Sequence, residues 1–218
     1  MLLSLAGFIG ILVLLLSCAC TTAFAQPLSG QAAKNFSSTL KGVKAENFGT
    51  LRLLEKKSLK GAYEKNVKAV ALLEKDARKK TWRQPWENLR DEFVSIAISS
   101  PGTDLAAEAL FKAAACQKAL AAYSRQNKDW RLACSMFEAL YAASPKSRLA
   151  DDSLLACADI QARFLRDTRQ ALKYLDLHAK KYGKSDTAKE AEALRKTLAD
   201  ASPKKEARKE GKEDKGPK

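Results

Sequence analysis

Few side chains in this sequence are of types that do chemistry. There is one histidine, His178, and there are five cysteines, at 18, 20, 116, 134 and 157. A hydrolytic metal centre needs two or three imidazole, thiolate or carboxylate ligands converging on an open position. One His on a helical stretch does not supply them. A Cys–His nucleophile pair would have to pass through that same residue. There is no Gly-rich phosphate loop and no G-x-S-x-G turn. Asp151 and Asp152 are neighbouring carboxylates, but adjacent helix positions face different ways, and acids at a helix start are accounted for by the helix dipole. Trp82, Trp86 and Trp130 can stack on sugar rings or fill a core. Two of them stand at expected helix starts, which favours packing. The sequence therefore leads us to expect no catalytic site, no metal and no cofactor in this chain.

The elements that carry these residues are legible as a repeat. Ser100-Pro101-Gly102-Thr103-Asp104-Leu105-Ala106 recurs as Ser144-Pro145-Lys146-Ser147-Arg148-Leu149-Ala150, and more weakly from Gly183 to Ala188. The periods, 145 − 101 = 44 and 183 − 145 = 38, are near those of two-helix repeats. Pro ends the preceding helix because it lacks an N–H and clashes with the turn before it. Thr103, Ser147 and Ser185 are expected to cap the next helix through their hydroxyls. Ala133, Phe137 and Pro145 are spaced A-x3-F-x7-P. Ala171, Leu175 and Gly183 repeat the spacing, as do Leu89, Phe93 and Pro101 upstream.

Composition agrees with helices. Apolar residues are 46% and aromatics 7%, while only ten Gly and six Pro occur in 218 residues. A sheet sandwich needs more turn residues and β-branched runs. Apolar spacing predicts seven helices, over 62–80, 85–99, 104–125, 129–143, 148–166, 169–181 and 186–200. The fold class expected is all-α, a helical-hairpin array spanning 61–202. Residues 26–60 lack a clear period and read as an irregular basic arm. Residues 203–218, PKKEARKEGKEDKGPK, contain no large apolar side chain and read as a disordered tail or linker.

The A-x3-F-x7-P spacing resembles the second half of a tetratricopeptide repeat. In the first half, Ala114 and Ala158 match the small contact residue, while Gln117 and Gln161 replace the usual aromatic. The run from Trp86 through Phe93 and Pro101 to Phe137 and Pro145–Asp152 resembles the helical region ahead of the catalytic domain in certain bacterial cell-wall amidases (N-acetylmuramoyl-L-alanine amidases). The P-x-S-x-x-A element is also similar to that of tetratricopeptide-type envelope proteins. The amidase resemblance implies a zinc hydrolase with His and Glu ligands. A chain with only His178 does not hold that domain, so it is expected to be either a stand-alone repeat protein or the N-terminal regulatory region of such an enzyme. The repeat-class resemblance implies a concave surface built from the first helix of each pair. Lys112, Lys118, Asp152, Asp159 and Arg163 are the candidate groove residues.

Residues 2–16 are an uncharged apolar run followed by Ala23-Phe24-Ala25 before Gln26. Small residues at −3 and −1 fit signal-peptidase cleavage between Ala25 and Gln26. Leu15-Leu16-Ser17-Cys18 also resembles a lipobox, which would make Cys18 a lipidated N-terminus. Both readings place the protein outside the cytoplasm, in the periplasm or anchored to a membrane. Two cysteines fall in the leader. The remaining three, Cys116, Cys134 and Cys157, are either small apolar residues inside helices or one disulfide with a leftover thiol.

Export changes the meaning of the net charge of +14. Such a protein does not meet nucleic acid, and its acidic counterparts are headgroups, anionic cell-wall polymers or acidic proteins. The charge is also segregated. Residues 52–83 carry 11 basic and 4 acidic residues, +7, and the tail from 203 carries 7 and 4, +3. Residues 84–202 carry 18 and 16, only +2. The partner expected is an envelope protein or peptide, with affinity for an anionic cell-wall or membrane surface added by 52–83 and the tail.

Overall fold

The computed structural model describes Leu28 and residues 30–201. The leader with Cys18, Ala25 and Gln26, and the tail 203–218, lie outside the described residues. Those residues form eight α-helices and no strand: α1 (Gly30–Thr39), α2 (Leu59–Lys75), α3 (Arg83–Ser99), α4 (Asp104–Ser124), α5 (Asn127–Ala143), α6 (Ala150–Asp159), α7 (Thr168–Tyr182) and α8 (Ala188–Ala201). From α2 onward each helix packs on the next in sequence. Arg90 of α3 reaches Gln117 of α4, across a turn of four residues, so the chain doubles back between them. None of the described helices is long and apolar enough to cross a membrane.

The 26–60 segment is not an irregular arm. It holds α1, whose Phe36 is buried, and Leu40, Val43 and Phe48 follow it into the core. Phe36 and Phe48 meet edge to face at 5.7 Å, and the Arg90 guanidinium lies over the Phe48 ring at 4.9 Å. The stretch after Phe48 then runs along α3. Gly49 N–H donates to Asp91 Oδ2 (2.7 Å), Arg52 N–H to Ser95 Oγ (3.3 Å) and Leu54 N–H to Ser99 Oγ (2.8 Å). Those three acceptors recur every fourth residue on one face of α3. They satisfy backbone donors that no helix or sheet would otherwise satisfy. A Cβ at Gly49 would stand 3.1 Å from Asp91 Oδ2, so the close approach uses the missing side chain.

The α2 helix stops at Lys75 rather than near 80. Asp76 Oδ1 accepts from the backbone N–H groups of Arg78 (3.0 Å) and Lys79 (2.9 Å), a local turn that competes with the helix. The α3–α4 turn follows expectation. Gly102 has φ +77°, a left-handed value that favours Gly, and Thr103 Oγ1 accepts from Ala106 N–H at 3.1 Å. Ser147 Oγ accepts from Leu149 N–H at 3.3 Å, just ahead of α6, and its carbonyl accepts from Ala150 N–H at 3.1 Å. At Ser185 the carbonyl accepts from Ala188 N–H (3.2 Å), and the hydroxyl meets Thr187 Oγ1 (3.0 Å) in place of a backbone donor. A cap the sequence reading missed is Asp167, whose Oδ1 accepts from Gln170 N–H at 2.9 Å.

The expected single helix over 148–166 is two pieces. After Asp159 the chain widens into a π-helical stretch, Ile160–Phe164, closed by Leu165 N–H on Ile160 O at 3.1 Å. The widening lets Phe164 stack flat on Trp130 of α5, with centroids 3.7 Å apart and rings inclined by 10°. The core runs through α3 to α7. Phe93, Ala133, Phe137, Ala171 and Leu175 are all buried in it. Pro101 and Pro145 follow the ends of α3 and α5. Gly183 follows α7, and a Cβ there would stand 2.7 Å from Ala179 O.

Candidate functional site

Three of the five candidate groove residues come together. Lys118 Nζ of α4 and Asp159 Oδ2 of α6 lie 3.3 Å apart, and Arg163 Nε lies 2.6 Å from Asp159 Oδ1. The Asp159 carboxylate thus bridges two cations, one from α4 and one from the π-helical stretch that follows α6. Lys112, six residues before Lys118, is half-buried and faces the neighbourhood of Cys116 and Glu74. Asp152 stands at the other end, near Asp151, Asp186 and Glu190. Burial first, and then these three acids, push its carboxyl above the usual range. Lys112 and Asp152 thus stand apart from the Lys118–Asp159–Arg163 cluster. No group of three or more His, Cys, Asp or Glu able to hold a metal occurs among the described residues.

Behind this face lies a polar chain that sequence reasoning did not find. Arg83 grips Asp129 with two parallel hydrogen bonds, and Ser124 Oγ donates to the same carboxylate at 2.6 Å. Gln117, fully buried, donates to Asp129 O at 3.3 Å and accepts from Arg90 Nη1 at 2.7 Å. Arg90 Nε then donates to Asp91 Oδ1 at 2.8 Å. Burial raises the Asp129 carboxyl, but the Arg83 and Ser124 bonds outweigh it and hold it below its ordinary value. At Asp91 burial prevails over Arg90 and the carboxyl is raised. Gln117 and Gln161 drew notice only as departures from an aromatic. A buried amide needs partners, and that was the available signal.

Trp86 and Trp130 are buried, and Trp86 Nε1 donates to Lys80 O at 2.7 Å, so both serve packing. Trp82 is 51% exposed and Tyr123 43% exposed; they flank a pocket of about 190 Å³ that Ser124 and Gln126 also line. On α2 the basic segment is solvated. Lys60, Lys65, Lys68 and Lys75 are exposed beside Leu72, an apolar side chain 69% in solvent.

His178 is buried. Its Nε2 lies 2.8 Å from Thr187 Oγ1, which donates to Asp151 Oδ2 at 3.0 Å, while Nδ1 has no partner. Burial lowers its pKa, against the pull of Asp151. With no solvent access and the carboxylate on the hydroxyl rather than on the ring, this arrangement is structural. Cys116, Cys134 and Cys157 are free thiols, all buried. Burial pushes Cys116 up to about 12.

No protein-family model, curated protein or solved structure matches this chain.

Proposed function

We propose that this protein is an exported, non-catalytic scaffold of the cell envelope, built as a tetratricopeptide-like array and binding a protein or peptide partner across the face of α4 and α6. The carrying observation is a register. Side chains 44 residues apart have like chemistry and like burial in successive helix pairs. Trp86 and Trp130, Phe93 and Phe137, Leu110 and Leu154, and Ala114 and Ala158 are each buried. Tyr63 meets Phe93 edge to face at 5.8 Å, and Phe111 meets Phe137 likewise at 5.4 Å. A chain that repeats one packing solution stacks its units and presents a row of first helices. In this reading the Lys118–Asp159 ion pair between α4 and α6 belongs to that row. The signal-like leader supports export, and the resemblance to cell-wall amidase helical regions supports a role in peptidoglycan maintenance. The solvated lysines of α2 add attraction to an anionic wall or membrane surface.

The test is capture of partners from envelope extract by the full chain at about 0.1 M and about 1 M salt, where the Debye length falls from about 10 Å to about 3 Å. One protein retained at both salts supports groove recognition. Loss of every partner at the higher salt reduces the protein to a basic adhesive surface.

A further inference from the structure

One cluster of reactive groups lies within the core between α5, α6 and α7. Cys157 on α6 donates from Sγ to the backbone carbonyl of Cys134 on α5 at 3.3 Å. Gln161 Nε2, on the first turn of the π-helical stretch, donates to Cys134 Sγ at 3.6 Å. The Tyr174 hydroxyl of α7 lies 3.8 Å from the same sulfur and donates in turn to the Glu138 carboxylate. Cys134 is thus joined to a half-buried carboxylate through one phenol. Cys116 has none of these partners.

We propose that Cys134 and Cys157 form a thiol–disulfide exchange site, with Cys134 the attacking sulfur, Cys157 the resolving sulfur, and Tyr174 and Glu138 the path that removes the Cys134 proton. The co-reactant is a low-molecular-weight disulfide, RSSR. The Cys134 thiol passes its proton to the Tyr174 oxygen as Tyr174 passes its own to Glu138. The thiolate attacks one sulfur of RSSR, breaks the S–S bond and releases RS⁻. Cys157 loses its proton to that RS⁻ and attacks Cys134 Sγ in the mixed disulfide. The second RS⁻ leaves and takes the proton held at Glu138. Two protein thiols are oxidised to one disulfide, and RSSR is reduced to two RSH.

Electrostatics favour this order. Burial raises the Cys157 thiol, whose hydrogen goes to Cys134 O, while Cys134 Sγ accepts from Gln161 Nε2 and its own hydrogen points to Tyr174 and so toward Glu138. Both sulfurs are buried, so exchange waits on local opening. The π-helical stretch next to Cys157 is a place where the helix is already interrupted. The product would bond α5 to α6 across the junction between successive helix pairs.

The full chain carrying Cys18→Ser and Cys20→Ser is incubated, folded, with oxidised glutathione, alkylated and peptide-mapped over time. The expected end point is a single Cys134–Cys157 bond with Cys116 alkylated. Glu138→Gln and Tyr174→Phe, each checked for unchanged circular dichroism, should reach that end point at least about tenfold more slowly, and Cys116→Ser at the parent rate. Three alkylated thiols, a bond involving Cys116, or glutathione held on Cys134 without resolution would overturn the site. An unchanged rate in both relay variants would overturn the proton path.

Discussion

Arg83 and Asp129, forty-six positions apart, face each other in a bidentate pair, with Nη2–Oδ2 at 2.5 Å and Nη1–Oδ1 at 3.2 Å. Parallel guanidinium–carboxylate bonds are directional, so the pair fixes how the start of α5 sits on the start of α3. The Asp129 side chain is only 6% exposed, and Arg83 is 38% exposed. Replacing Asp129 by Asn should cost about 1–3 kcal/mol, because Gln117 keeps its bond to the backbone carbonyl while Arg83 loses the more buried of its two charged partners and keeps only Glu87, at 3.0 Å. A double-mutant cycle with Arg83→Ala, read by denaturant melts, should give a coupling above about 0.5 kcal/mol. The folded pKa of Asp129 is depressed. This contribution is therefore present above the unfolded carboxylate pKa of about 3.9 and is lost as pH falls through the lower folded value.

Gly183→Ala should destabilise by about 1–3 kcal/mol. Gly183 has φ −60°, where Ala is ordinarily the more stable residue by about 0.4–1 kcal/mol. Here the new Cβ would meet a backbone carbonyl oxygen, which has no rotamer to yield. Thermal melts of the two proteins decide the sign.

Asp152→Asn should stabilise slightly, by about 0.5 kcal/mol, because it relieves repulsion from Asp151, Asp186 and Glu190. The folded pKa of Asp152 is raised, so its penalty is absent below the unfolded pKa and grows as pH rises through the folded value. Melts of the two proteins should coincide near pH 3 and separate at pH 7.

His178 carries a pH dependence of the opposite sense. Its folded pKa is lowered by burial, so the contribution is complete above the unfolded value of about 6.5 and declines as pH falls toward the folded value. The groups facing it are Thr187, Asp151 and the Tyr182 ring. Replacing His178 by Gln should flatten stability between about pH 7 and pH 5, as urea midpoints at each pH will show.

The sequence disclosed helices where apolar spacing was regular. The ends of α3, α4, α5 and α7 fall within about two residues of expectation, the ordinary scatter of helix ends. It concealed the segment beside α3, because Gly49, Arg52 and Leu54 are held by hydrogen bonds to side chains more than forty positions away. Phe36, Leu40 and Val43, at and just past the end of α1, do stand at helical spacing, a signal too short to stand out. The π-helical stretch escaped because it exists to seat Phe164 on Trp130, a tertiary contact. At the candidate site, Lys118, Asp159 and Arg163 were named from the sequence, and their side chains meet in the structure. The Arg83–Asp129–Gln117–Arg90 chain was not, since Arg83, Arg90 and Asp129 each read alone as an ordinary surface polar residue and only Gln117 stood out.

The claim of a partner-binding face is tested most directly by photo-cross-linking in living cells. A photoreactive residue replaces, one at a time, Lys118, Asp159 or Arg163 on the α4–α6 face, and Arg131 or Lys173 on the exposed sides of α5 and α7. We expect one discrete cross-linked envelope protein from the first three positions and none from the other two. No product from the first three, or the same product from all five, would contradict recognition by that face.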